Sequence, residues 1–168
     1  ALSGTATVTI TLKRTRAQIK NVIGWIAGRD TSRTLVVGAH YDHLGFGGEY
    51  SLAPDVHLPH LGADDNASGV AAMLSVAGWK TEWGIPDRGP VHNLVFCAFT
   101  GEEMGLVGSS HFVDDPTLPL PTVEAMINMD MVGRLRSNRL MVMGVGTATE
   151  FPALTGQVNE RSAFDLKT

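Results

Sequence analysis

The chain holds one cysteine, Cys97, so no disulfide can form within it. No apolar run approaches the roughly 20 residues that a membrane-spanning helix needs. Positive charge is scarce: 13 Lys and Arg stand against 17 Asp and Glu, a formal charge of -4. That balance gives no electrostatic reason to expect nucleic acid or an anionic membrane as partner. A basic, apolar leader is also missing from the start, which is Ala1 rather than Met, so the sequence reads as a mature or trimmed product. Internal repeats, low-complexity tracts and a second domain are not visible. What remains is enough for a core, because 168 residues with a hydrophobic fraction of 43% fit one globular domain, 1–168. Cys97 lies inside the apolar run Leu94-Val95-Phe96-Cys97-Ala98-Phe99 and reads as a small buried hydrophobe, not a nucleophile.

Local patterns outline the elements. Residues 6–12 alternate apolar and polar with β-branched side chains, which predicts an edge or half-exposed strand. Residues 21–26 and 34–39 read as two further strands, joined by the polar turn 29–33. Residues 44–62 are rich in Gly, Pro and His without a clear period, and long loops of this kind are often functional. Asn66 and Ser68 are able to cap a helix over 70–77. A second loop follows at 81–90, then a buried strand over 91–99. Residues 105–114 suggest a short helix stopped by Pro116. Strands over 123–129 and 139–143 and a last helix over 148–161 complete the pattern. Strands alternating with helices predict an α/β fold: a mixed, mostly parallel central sheet with helices on both faces.

Four segments carry the chemistry: His40-Tyr41-Asp42-His43, Gly62-Ala63-Asp64-Asp65-Asn66, Gly101-Glu102-Glu103 and Asn128-Met129-Asp130. His40, the Glu102–Glu103 pair and Asp130 each follow an apolar strand, and Asp65 stands just before a helix. In open α/β sheets the ligand site lies beyond the carboxyl ends of the strands, so all four groups come from one rim. Imidazole and carboxylate donors without thiolate suit zinc, and also manganese or cobalt. In a two-metal site one carboxylate bridges ions about 3.5–4 Å apart, and a shared water becomes hydroxide near neutral pH. A further carboxylate, free of metal, can take that water's proton. Adjacent Glu102 and Glu103 offer one group for each task.

These motifs resemble peptidase family M28, the co-catalytic zinc aminopeptidases, from about residue 21 to 147. The resemblance implies a zinc-exopeptidase fold and hydrolysis of the first peptide bond of a peptide. It implies that His40 and Asp130 bind one zinc, that Glu103 binds the second and that Asp65 bridges them. By the same likeness Glu102 is the general base, acting on a metal-held hydroxide, and Asp42 orients the His40 imidazole. Carboxylates near the metals would hold the substrate's free α-amino group. Large apolar N-terminal residues are the family's common preference. Secretion or a periplasmic location is likewise implied by the family alone.

One departure matters. The family pattern has a fifth ligand, a histidine well downstream of Asp130, and here no histidine follows His111. The expectation is therefore a partial catalytic domain without its C-terminal part. The second metal would keep Asp65 and Glu103 only, unless His57, His60, a missing C-terminal segment or another chain contributes. Such a chain would bind one metal better than two and have weak or no peptidase activity. Rival functions on the same fold are a glutaminyl cyclase, a carboxypeptidase-like hydrolase, or a non-catalytic binding module. The presence of His40, Asp65, Glu103 and Asp130 and of the base Glu102 favours the enzyme.

Other residues receive plainer readings. Asp64 reads as a turn or cap acceptor beside Asp65. His43 reads as a structural residue behind the site, and His57 and His60 as loop positions near the cleft. His92 and His111 lack ligand-like neighbours. Asn66-Ala67-Ser68 matches a glycosylation sequon, but a glycan would not fit inside the proposed metal loop. Gly144-Val145-Gly146 reads as a loop before a helix, and the methionines at 126, 129, 131, 141 and 143 as core filling.

Overall fold

The structure, a computed structural model, describes residues 4–5, 7–13, 16–48, 51–78 and 89–168. Its centre is a four-stranded sheet of β1 (Val22–Ile26), β2 (Asp30–His40), β3 (His92–Phe99) and β4 (Val123–Asn128). The strand order is β1-β3-β2-β4. β2 runs parallel to both β3 and β4, whereas β1 pairs antiparallel with β3. The sheet is thus mixed and mostly parallel. From Thr34 onward β2 is largely buried, as is β3, and Leu35–Ala39 and Leu94–Phe99 read as near-continuous apolar runs, as central parallel strands do.

Side-chain alternation along β2 and β3 divides the core in two. Val36, Val95, Cys97 and Phe99 face one side, where they meet Phe112 and Leu118. Phe112 belongs to helix α2 (Val107–Asp114). Val37, Ala39 and Phe96 face the other side, where they meet Met73 of helix α1 (Gly69–Gly78). One helix therefore covers each face. Cys97 is buried, and burial pushes its thiol up to about 11. A smaller parallel pair, β5 (Arg139–Met141) with β6 (Asp165–Lys167), has helix α3 (Phe151–Asn159) between its strands in the chain.

Several expectations need correction. Residues 7–12 form no strand, and Val8, Ile10 and Leu12 are exposed. A lone amphipathic run gains nothing as a strand without a partner to complete its ladder. The expected polar turn 29–33 is mostly strand: β2 begins at Asp30, which pairs with His92, and its register shifts before Thr34. The β5–β6 pair joins residues too far apart for a local pattern to reveal. Met126, Met131, Met141 and Met143 are exposed, while Met73 fills the core. The loop expected over 81–90 falls largely outside the described residues.

Candidate metal centre

The strand order places the functional groups. β2 lies between β3 and β4, so His40 at the end of β2 has as neighbours the segment leaving β3 and the segment leaving β4. The first carries Glu102 and Glu103, the second Asp130. Asp65 comes from the irregular turn Ala63–Ser68, which leads into α1 against the sheet. The Asp65–Asn66 peptide is cis.

Buried polar bonds hold that turn. Asn66 is only 2% exposed. Its side-chain amide donates to the Met129 carbonyl at 3.0 Å, and its Oδ1 accepts from the N–H groups of Gly69 at 3.0 Å and Met131 at 3.2 Å. The sequon is therefore sealed. Asp64 accepts from Arg134 Nε at 2.8 Å and from the Gly133 N–H at 2.9 Å, so it ties the turn to the segment after β4. The Arg134 guanidinium holds its carboxyl below the usual range. Gly69 is required by close approach: a Cβ there would stand 2.3 Å from the Met129 carbonyl oxygen.

His40 is the buried centre of the site, 3% exposed. Its Nδ1 donates to the Asp42 backbone carbonyl at 3.0 Å. Nε2 then faces Asp65 Oδ1 at 3.2 Å, Asp130 Oδ1 at 3.4 Å and Glu102 Oε2 at 3.9 Å. Burial lowers its pKa, but the Asp42 carbonyl and the carboxylates of Asp130, Glu102 and Asp65 outweigh that and raise it overall. Burial also raises the Glu102 carboxyl; His40 opposes this, and Glu103, Asp130 and Asp42 reinforce it.

The Asp42 carboxylate has a different place from the one expected. It lies 3.8 Å from His40 Nδ1 and instead accepts the backbone N–H groups of Glu102 at 3.2 Å and Glu103 at 3.4 Å. The backbone carbonyl of Asp42 is what meets the imidazole, because the chain turns immediately after β2. Asn21 supports the same segment from below: it accepts from the Thr100 N–H at 3.2 Å and donates to the Gly108 carbonyl at 2.8 Å.

A second donor group lies beside the first. His43 Nδ1 is 2.7 Å from Glu103 Oε1 and 3.9 Å from Asp65 Oδ2. Asp65 therefore aims one oxygen at His40 and the other at His43. Sequence reasoning put His43 behind the site. The signal that points to it is the three-residue spacing of two imidazoles leaving one strand end. His60, by contrast, bonds Ser51 at 3.3 Å within its own loop, and His57 and His111 are exposed. A cleft of about 380 Å³, walled by Ile19, Leu44 and Met104, opens next to His43 and Glu103.

The donor chemistry fits a divalent cation. Ligand bonds of about 2.0–2.2 Å in a tetrahedral shell put donor atoms about 3.3–3.6 Å apart. The spacings of 3.2 and 3.4 Å around His40 Nε2 match. With Nδ1 committed to a carbonyl, a neutral His40 turns its Nε2 lone pair toward two carboxylates, an arrangement that a cation relieves. His40, Asp65 and Asp130 form one group of potential ligands, and His43, Asp65 and Glu103 form another.

Fold and site together define a class: an α/β protein whose mixed sheet carries, at its carboxyl rim, a cluster of imidazole and carboxylate donors able to hold a divalent cation. Residues 21–167 match the description of peptidase family M28, and the chain belongs to that family. It is 31% identical over 140 residues to a leucine aminopeptidase 1 of Coccidioides posadasii, covering 80% of this chain and 34% of that protein. It is 32% identical over 126 residues to a probable zinc metalloprotease of Pyricularia oryzae, covering 73% of this chain and 22% of that protein. Among solved structures, the Bacillus subtilis zinc aminopeptidase BSAP matches with a TM-score of 0.62 and 29% identity, covering 87% of this chain and 33% of that one. A Zn-dependent exopeptidase of Parabacteroides distasonis shares the fold, with a TM-score of 0.63, 21% identity, and coverage of 84% and 51%. The chain spans about a third of the length of the leucine aminopeptidases it matches. Among the described residues no helix is long and apolar enough to cross a membrane.

Proposed function

We propose that this chain is the metal-binding part of an aminopeptidase catalytic domain that releases N-terminal residues from peptides. One observation carries the reading: the Asp65 carboxylate divides its two oxygens between two donor groups, the geometry that a bridging ligand needs. His40, Asp65 and Asp130 would hold one zinc ion, and Asp65 and Glu103 would share in the other. Such ions polarise a carbonyl oxygen and make a bound water acidic near neutral pH.

The chain's own residues do the rest. Glu102 Oε2 stands at the edge of the centre and takes a proton from the attacking water, then returns it to the leaving amine nitrogen. Its raised pKa supports both halves of that transfer, since a base matched to the working pH is the more effective one. Asp42 fixes the backbone of Glu102 and Glu103, so the base keeps its distance from the rim. The concentration of carboxylates around His40 favours a cationic α-amino group at the substrate's end. The apolar wall of the neighbouring cleft supports an apolar first residue. Export to the cell exterior or periplasm belongs to the same reading.

The test is release of p-nitroaniline from Leu-p-nitroanilide with zinc present, beside incubation with an N-terminal glutaminyl peptide. Release that stops with a chelator and returns with zinc supports the proposal. Cyclisation of the glutaminyl peptide without any release would replace it by a cyclase.

A further inference from the structure

We propose that Arg134 receives the C-terminal carboxylate of a short peptide, so that the substrates of this centre are free di- and tripeptides. The inference rests on the aminopeptidase reading above and deepens it by naming the substrate class. A second cleft, of about 620 Å³, carries it, with His43, Asp65, Met131 and Arg134 among its walls. It meets the apolar cleft of Ile19, Leu44 and Met104 at His43, the one residue that lines both. The proposed bridging carboxylate and the guanidinium therefore open into one space. Among the described residues, Arg134 is the only Lys or Arg on the walls of either cleft, at a rim otherwise rich in carboxylates.

The guanidinium is anchored at one end and free at the other. Its Nε donates to Asp64 Oδ2 at 2.8 Å. Its two terminal nitrogens have no hydrogen bond or ion pair among the described residues, and the side chain is 61% exposed. Asp64 asks nothing more of it, because Oδ1 accepts the Gly133 N–H at 2.9 Å. Close approach fixes the place: a Cβ on Gly133 would stand 2.8 Å from Asp64 Oδ1, so glycine lets the segment after β4 lie against the turn. The two free nitrogens form a planar fork that matches both oxygens of a carboxylate. Asp64 and Asp65 are consecutive, so the anchor of the fork and the proposed bridging ligand stand one residue apart. Each extended residue of a peptide spans about 3.3–3.6 Å. A scissile bond at the centre then leaves one or two residues before the chain reaches Arg134.

The rival is a clip, in which Arg134 only ties the turn to the segment after β4. To separate the two, the zinc-loaded 168-residue chain is offered leucylglycine and leucylglycylglycine, each beside its C-terminal amide. The expected kcat/KM favours the free acid by about tenfold or more in at least one pair, the scale of a charge-assisted hydrogen bond. In Arg134→Gln that preference should disappear, whereas loss of a clip lowers acid and amide alike and leaves their ratio. Equal rates with acid and amide in the unaltered chain overturn the proposal. Preference for leucylaspartyl amide over leucylglycine also overturns it, by assigning Arg134 to an acidic side chain. The metal-free chain, labelled with nitrogen-15 in its arginines, gives a reading independent of turnover. Leucylglycine should move the Arg134 Nε–H resonance, and leucylglycinamide should not. A resonance that ignores both overturns the proposal whatever the rates. One that answers to the acid, in a chain that cleaves no peptide when zinc is added, removes the aminopeptidase reading and keeps the carboxylate site.

Discussion

Glu102 and His40 show how environment turns ordinary side chains into specialised ones. Burial and three neighbouring carboxyl groups raise Glu102, while only His40 opposes them. Replacement by Gln keeps the shape and removes the base. Turnover of Leu-p-nitroanilide is expected to fall about 10²–10⁴-fold, with zinc content by mass spectrometry unchanged. His40 gives a pH dependence. Its raised pKa means the metal-free chain keeps that proton to a higher pH than an ordinary imidazole at 6.5. A metal must displace it, so zinc affinity falls as the pH drops through the raised value and recovers above it. Calorimetry in buffers of different ionisation heat should detect about one proton released per first zinc on the acid side and fewer on the alkaline side. Affinity independent of pH between 5.5 and 8 would contradict the assignment of His40.

The turn Ala63–Ser68 decides the site at the level of elements. It presents Asp65 while its own polar groups are consumed inside, chiefly by Asn66. Asn66→Ala strands the buried Gly69 N–H and leaves the part-buried Met129 carbonyl and Met131 N–H without this partner, a buried unpaired group costing about 1–3 kcal/mol. A loss near 3 kcal/mol is expected in urea unfolding of the metal-free chain. A change under 0.5 kcal/mol would mean that the turn is not held this way. The segment after β3 has the corresponding device in Asn21, which lies before β1 and reaches both Thr100 and Gly108. Neither strap has a signature of its own in the sequence, since a lone Asn near a strand end has many uses.

Across the whole molecule, one sheet with a helix on each face supplies the rigidity that the rim needs. Phe99 and Phe112 pack edge to face at 5.8 Å and join β3 to α2. Phe99→Ala should cost about 3–5 kcal/mol and loosen the Glu102–Glu103 segment that follows it. Cys97 reports on the same core. Buried, and with its thiol pushed up to about 11, it should resist a thiol reagent in the folded chain and react once urea unfolds it. Rapid reaction under native conditions would show that the sheet opens.

The strands of the central sheet and helices α1 and α2 were readable as sequence, because buried apolar runs and local caps are properties of neighbouring residues. The candidate donors His40, Asp65, Glu103 and Asp130 were also readable as polar groups at the edges of such runs, and the structure brings them together at one rim. Pairing was not. The fate of residues 7–12, the extension of β2 back to Asp30 and the β5–β6 ladder all depend on which distant segment offers a free edge. The side on which His43 falls depends on the turn past β2 and on the Gly62 backbone opposite it. Hydrophobic periodicity is local and survives in the linear chain, whereas convergence of ligands is a three-dimensional relation that exists only once β2 lies between β3 and β4.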